Sequence, residues 1–122
     1  MGTTKPTKHR SLHDGDIEDA LGSKAHRRIL AACIKGAASV KQVSAATGLP
    51  LASTYRNIHG LIDRGLLIVE RSAMTEDGKP YDLYRSRLKE ASLRISAQGV
   101  EVSWNVNPSV EDRLLNMWSY LR

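Results

Sequence analysis

The sequence predicts an α+β fold in which three helices are followed by two β-hairpins and a final helix. Apolar residues recur every three or four positions up to about residue 64, and they alternate with polar residues from about residue 66 to residue 106. Glycines at Gly36, Gly48 and Gly65 follow the three helical stretches, where helices commonly end. A chain of 122 residues has room for one core with flexible ends.

Composition favours an intracellular protein. No apolar run approaches the roughly 18 residues that a membrane-spanning helix needs. The start of the chain lacks the apolar segment of a secretory signal, so a cytoplasmic, nucleoid-associated location is expected. The single cysteine, Cys33, lies in an apolar run and is interpreted as a small buried hydrophobe; a redox sensor or nucleophile is the alternative.

The first elements follow from capping residues and polarity. Residues 1–16 are polar and are predicted to be a disordered tail. A short helical turn is expected at 17–21. Ser23 then caps a helix at 24–35, whose inward positions include Ile29, Leu30, Cys33 and Ile34.

Two further helices complete the predicted three-helix core. Ser39 is placed to cap a short helix at 40–47, which Gly48 ends. A proline is favourable in the first turn of a helix, so the third helix is expected over residues 50–64. Its inward side should carry Leu51, Thr54, Ile58, Leu61 and Ile62.

The second half of the chain alternates and then becomes helical again. Residues 66–72 and 81–88 form one predicted hairpin around the turn at 75–80. A second hairpin is expected at 91–106, with Ala91, Leu93 and Ile95 on one face of its first strand. Asn107 and Pro108 open the final helix.

The excess positive charge lies in the helical half. The net charge is +5, and residues 23–64 hold seven basic residues against the single acidic Asp63. This distribution is typical of a surface that meets a polyanion, although a solvated basic face would give the same count.

The order of elements is that of a winged helix-turn-helix, and the sequence at residues 39–69 makes the likeness specific. The stretch 40–50 followed by Ser53-Thr54-Tyr55-Arg56 and Arg64-Gly65-Leu66-Leu67 resembles winged-helix regulators related to the ArsR, MarR and TrmB families. The resemblance covers roughly residues 24–88 and implies a bacterial or archaeal DNA-binding regulator. The metal-ligand cysteines of the metal-sensing members are absent, so metal sensing is not implied. The predicted domains are therefore a tail at 1–16, a winged helix-turn-helix at 17–88, and a hairpin with a dimerisation helix at 89–122.

The outward side of the third helix is the predicted DNA contact. It presents Ala52, Ser53, Arg56 and His59, with Tyr55 beside them. An arginine can bond two acceptors of guanine in the major groove, so Arg56 is the leading candidate for base recognition; a phosphate contact is the alternative. Tyr55 has the alternative role of a packing aromatic.

Three further contacts are predicted around this helix. Ser39 and Lys41 lie at a helix N-terminus, which favours phosphate, although an ordinary solvated lysine is equally consistent. Lys79 at the tip of the first hairpin, the wing, is a candidate for contact with the minor groove or phosphate.

His9 and His13 lie near acidic residues, but no second cluster completes a metal site, so neither metal nor cofactor is expected.

The final helix predicts a homodimer. Its apolar stripe contains Leu114, Leu115, Trp118 and Leu121, and a second copy could cover it and set two recognition helices on successive half-sites. The alternative is that the helix folds back on its own core.

The predicted function is sequence-specific binding of double-stranded DNA in transcription regulation. A protein-interaction module of the transcription machinery is the alternative, and an enzyme is not expected.

Overall fold

The computed structural model describes residues 12–121, except for the side chains at 113 and 116–121. The elements in chain order are α1 (Asp14–Leu21), α2 (Lys24–Ala32), α3 (Val40–Thr47), α4 (Leu51–Asp63), β1 (Leu67–Met74), β2 (Pro80–Ser86), β3 (Leu88–Ser96), β4 (Gly99–Val106) and α5 (Pro108–Leu121). The predicted mixed α+β fold is confirmed at this level. Within the described residues, no helix is long and apolar enough to cross a membrane.

The first helix begins earlier than the sequence predicted. α1 starts at Asp14 rather than near residue 17, and Leu12 before it is only 3% exposed. The cause is a distant partner, because the indole Nε1 of Trp104 donates a hydrogen bond of 2.9 Å to Oδ1 of Asp14. Residues 12–16 therefore belong to the folded part, whereas residues 1–11 lie outside the described residues.

Helix α2 ends three residues before its predicted end at Lys35. Ser23 caps its start, as expected, by accepting a hydrogen bond from the backbone N–H of His26. At the other end, the carbonyl of Cys33 accepts from the backbone N–H of Ser86. The carbonyl of Ile34 accepts from Arg85 and Asn107. Partners far along the chain thus bond to the carbonyls that directly follow the helix, and Gly36 is not the residue that ends it.

Helix α3 has the predicted bounds because both of its ends are encoded locally. Ser39 and Gln42 form a reciprocal capping box in which each side chain accepts from the other's backbone N–H. Gly48 adopts a left-handed backbone with φ of 77°, a conformation that glycine reaches without steric penalty.

Helix α4 packs one side into the core, with one correction. Thr54, Ile58 and Leu61 are fully buried and Ile62 is half-buried, as predicted. Leu51, which was predicted to face the core, is 49% exposed. It lies in the first turn, past the end of the packed surface, and the preceding Leu49 packs against the core there instead.

The two hairpins form separate two-stranded antiparallel sheets. The first, β1–β2, is joined to the helices by a bridge in which Tyr84 and Ala38 exchange backbone hydrogen bonds of 2.8 and 2.9 Å. Arg87 alone separates β2 from β3. The second hairpin, β3–β4, pairs Ala91 with Trp104 and lies against α1.

One hydrophobic core joins the helices to both hairpins. Its buried members include Ile17 of α1, Ile29 of α2 and Ile58 of α4, together with Leu88 and Trp104 of the second hairpin. The second hairpin therefore shares the core of the helices, as expected for a chain of this length.

Buried polar bonds hold the start of α5. Arg87 donates to Oε1 of Glu111 from Nε at 3.2 Å and from Nη2 at 3.0 Å, and both side chains are at most 10% exposed. Asn107 donates to the carbonyls of Ile34 and Ser86 at 3.2 Å each. Removing Arg87 or Glu111 would leave an uncompensated charge buried in the protein, so the pair is costly to break. Together with the Asn107 bonds, it holds the start of α5 against the core.

Candidate nucleic-acid interface

The outward side of α4 is accessible to solvent. Ala52, Tyr55, Arg56 and His59 are exposed, and Ser53 is half-buried. These five residues are the predicted DNA contacts on this helix, and α4 presents them together because its opposite side is fixed in the core. Leu51 adds an exposed apolar side chain at the N-terminal end of the same surface, which the sequence did not anticipate.

Asn57 is a residue of this surface that the sequence reasoning missed. Its Nδ2 donates to the backbone carbonyl of Ser53 at 2.8 Å and approaches Ser53 Oγ at 3.4 Å. The carbonyl can only accept, so it fixes which end of the Asn57 amide points toward Ser53. With Oγ accepting from Asn57, the Ser53 hydroxyl hydrogen is left to donate to an acceptor on a ligand.

Tyr55 and His59 lie one turn apart and form an aromatic pair. Their ring centroids are 4.3 Å apart with planes tilted by 54°. Burial raises the pKa of the Tyr84 phenol in β2, and the nearby Asp82 and Tyr55 raise it further. Helix α4, which carries this pair, contacts β1 of the first hairpin.

Ser39 and Lys41, both predicted to contact phosphate, lie at the N-terminus of α3. Ser39 is half-buried and its oxygen accepts from the Gln42 backbone N–H at 3.2 Å. Its structural role is thus the cap, with its hydroxyl hydrogen still able to donate. Lys41 is exposed in the first turn, where the helix dipole favours an anion.

The tip of the first hairpin is exposed but electrically mixed. Lys79 is exposed, and its backbone N–H donates to the Thr75 hydroxyl at 3.0 Å. Asp77 shares the turn, and the Thr75 hydroxyl donates to its carboxylate, which lowers the pKa of that carboxyl. Lys79 therefore stands in a turn where an ionised carboxylate offsets its charge.

Several basic residues of the helical half bind other parts of the chain. Arg27 donates to the Leu21 carbonyl at 2.7 Å, and Arg28 donates to the Thr47 carbonyl at 3.4 Å. Arg64 lies 3.9 Å from an Asp19 carboxylate oxygen. Arg27 and Arg28 stay exposed although they make these bonds, so they add to the outward positive charge that Lys41 and Arg56 present.

Two buried or half-buried titratable groups lie behind the α4 surface. Burial lowers the pKa of His26 on α2, and Arg64 lowers it further, while a hydrogen bond with Asn57 opposes the shift. Burial raises the pKa of the Cys33 thiol to about 11, with Arg85 opposing the shift. Cys33 is fully buried, which agrees with its interpretation as a core hydrophobe.

The predicted dimerisation residues do not share one environment. Leu114 is 6% exposed, and Leu115 is 41% exposed. The side chains of Trp118 and Leu121 lie outside the described residues. Leu115 is therefore the predicted residue on α5 that the structure places at the surface.

The histidine and acidic residues near the N-terminus do not form a described metal site. Among residues 12–121, no group of three or more histidine, cysteine or acidic side chains could hold a metal ion. His9 lies outside that range.

Comparison with known families gives a match in the helical half of the molecule. Residues 28–70 match the model of the IclR helix-turn-helix domain. The match runs from within α2 through α3 and α4 into β1 and contains the surface described above. No curated protein and no solved structure matches the chain. Residues 28–70 are thus similar to a helix-turn-helix DNA-binding domain of the IclR type, which supports a role in DNA-binding transcription regulation. The resemblance to ArsR, MarR and TrmB regulators stays a prediction.

Proposed function

We propose that this helix-turn-helix protein is a transcription regulator that recognises a specific sequence in double-stranded DNA, with α4 in the major groove and the first hairpin acting as a wing. The observation that carries the proposal is the two-sided character of α4. Ile58 and Leu61 anchor one side in the core, while Arg56 and His59 project from the other. A helix held in this way can enter the groove without unpacking the domain.

Arg56 is the residue proposed to recognise bases. Its guanidinium can donate two parallel bonds to O6 and N7 of guanine, a pairing that contributes about 1–3 kcal/mol of discrimination. Ser53, whose oxygen is approached by Asn57, would donate to an acceptor on a base edge or phosphate. Ala52 can contact a thymine methyl group.

Residues around α4 are proposed to position the domain on the backbone. Lys41 and Ser39 at the α3 N-terminus would bind phosphate, since charge and helix dipole act together there. Tyr55 would flank the groove that His59 enters beside Arg56, and Lys79 would contact the phosphate or minor groove next to it. These contacts carry affinity rather than sequence information.

A homodimer is the proposed active form. Two copies related by a two-fold axis would place two α4 helices about one helical turn of DNA apart, so the recognised site would be an inverted repeat. Leu115 on α5 is one candidate for the contact between copies, since it is a predicted dimerisation residue that lies at the surface.

The proposal is tested by selecting bound duplexes from a random pool with the wild-type protein and with Arg56→Ala. The wild type is expected to enrich one motif. Arg56→Ala is expected to keep the half-site spacing but lose preference at one base pair, with a loss of about 1–3 kcal/mol on the selected site.

Lys24→Ala is the matched control, because it removes an exposed basic residue from α2 rather than from the proposed groove surface. Its motif should equal that of the wild type. A wild-type pool without an enriched motif would reject sequence recognition and favour a protein-interaction role. An Arg56→Ala motif identical to the wild-type one would remove Arg56 from base recognition.

A further inference from the structure

The second hairpin has one apolar and one polar face. Its register sets Ala91 opposite Trp104, Leu93 opposite Val102 and Ile95 opposite Val100. Residues that face each other in an antiparallel pair lie on the same face, and residues two apart share that face. These six residues therefore form one continuous surface, which we name the hairpin apolar face.

This face is covered at one end and open at the other. Near the base of the hairpin, Trp104 is 3% exposed and bonds to Asp14 at the start of α1. Toward the turn, Leu93 is 39% exposed, Val100 54% and Ile95 76%. Helix α1 thus covers the base, and the outer half of the face meets solvent.

We infer that the outer half of the hairpin apolar face, centred on Leu93, Ile95 and Val100, packs against the same face of a second copy of this chain. The inference rests on the proposed dimer and assigns the surface through which the two copies meet. A two-fold contact buries the same patch on both copies, so the apolar side chains of this one chain supply both sides of the interface.

Charge favours a second copy over a strongly charged occupant. Although the whole chain has a net charge of +5, residues 88–106 carry Lys89 and Arg94 against Glu90 and Glu101 and are therefore neutral. Arg94 stands directly opposite Glu101 on the polar face, where cross-strand charges of opposite sign attract. Two basic copies can approach along this neutral surface without repulsion. It offers nothing that would attract nucleic acid or a strongly charged peptide.

The geometry also keeps this contact apart from the DNA-binding surface. The second hairpin contacts α1, whereas α3 and α4 contact β2 and β1 of the first hairpin. Two copies joined through their second hairpins would thus leave both α4 surfaces free. The dimer contact and the DNA contact can therefore be altered separately.

The test measures the mass of the full-length protein in solution by sedimentation over a range of concentrations. The wild type is expected to be a dimer. Ile95→Asp and Ile95→Lys each place like charges in the self-contact and are expected to raise the dimer dissociation constant by about a hundredfold or more. An equimolar mixture of the two variants is expected to recover the dimer, because the charges are then complementary.

Two controls distinguish a loss of the dimer from a loss of the fold. Met74→Lys introduces the same charge at a residue of the first hairpin that is 66% exposed and should leave the dimer intact. For each Ile95 variant the circular dichroism spectrum should match the wild type, since that side chain is 76% exposed. Thermal unfolding should match at protein concentrations low enough for the wild type to be monomeric, because dimer formation raises the unfolding temperature. Leu115→Lys tests the alternative contact between copies through α5.

Four outcomes would overturn the inference: a monomeric wild type, a dimer that both Ile95 variants retain, a dimer that only Leu115→Lys disrupts, or a mixture that stays monomeric. The proposed DNA recognition has a separate readout. Monomeric Ile95 variants should still bind a single half-site, and failure of a dimeric wild type to bind any duplex would count against the DNA proposal alone.

Discussion

The helix-turn-helix segment and the second hairpin expose opposite kinds of surface. Helices α3 and α4 bury Val43, Ile58 and Leu61 and leave Lys41 and Arg56 at the surface. The second hairpin is neutral and exposes Leu93, Ile95 and Val100. Exposed charge is typical of a surface for a polyanion, and an exposed apolar patch is typical of a surface for another protein. The helix-turn-helix segment is therefore the surface proposed for DNA, and the second hairpin is the surface proposed for a second copy of the chain.

Truncating one isoleucine in each region should give the sharpest contrast. Ile58 of α4 is 0% exposed, so Ile58→Ala is expected to lower the free energy of unfolding by about 2–5 kcal/mol through lost burial and a cavity. Ile95→Ala is expected to change the stability of the monomer by no more than about 0.5 kcal/mol, since the side chain is 76% exposed. Urea denaturation at low protein concentration measures both. Equal losses would contradict the core described for α4.

Acid should weaken the helical segment through His26. The pKa of His26 is lowered in the fold from 6.5, mainly by burial, so the unfolded chain takes up the proton first. Stability is therefore expected to be complete above about pH 6.5 and to decline as the pH falls through the lowered pKa of the folded state. His26→Gln should show a shallower decline in urea denaturation between pH 7.5 and pH 5.

His13→Gln is the control for that comparison, because His13 is exposed in front of α1. It should follow the wild-type curve. Residues 88–106 contain no histidine, so the effect should arise in the helical segment. A His26→Gln curve parallel to the wild-type curve would show that this imidazole does not oppose acid in the fold.

Local patterns predicted the parts of the fold that local bonds determine. The bounds of α3 follow from Ser39 and Gly48, and both lie within one turn of the helix that they cap. The outward surface of α4 follows from periodicity, and Ala52, Arg56 and His59 are exposed as expected. The register of the second hairpin follows from alternation between its strands.

What the sequence missed depends on partners far apart in the chain. Helix α1 starts early because Trp104 bonds to Asp14, ninety positions away. The buried bond between Arg87 and Glu111 leaves no periodic signal, since the two residues are 24 positions apart. Helical periodicity also takes no account of where the packed surface ends. It therefore predicted a buried Leu51, although the first turn of α4 extends beyond the core.

The salt dependence of binding to the selected duplex tests the central claim, DNA recognition by the helix-turn-helix segment, most directly. Each phosphate contact contributes about −0.9 to the slope of log affinity against log salt. The account predicts a steep slope for the wild type, a slope shallower by about one unit for Lys41→Ala, and an unchanged slope for Lys89→Ala on the second hairpin. A flat wild-type slope, or a slope that changes with Lys89→Ala and not with Lys41→Ala, would contradict it.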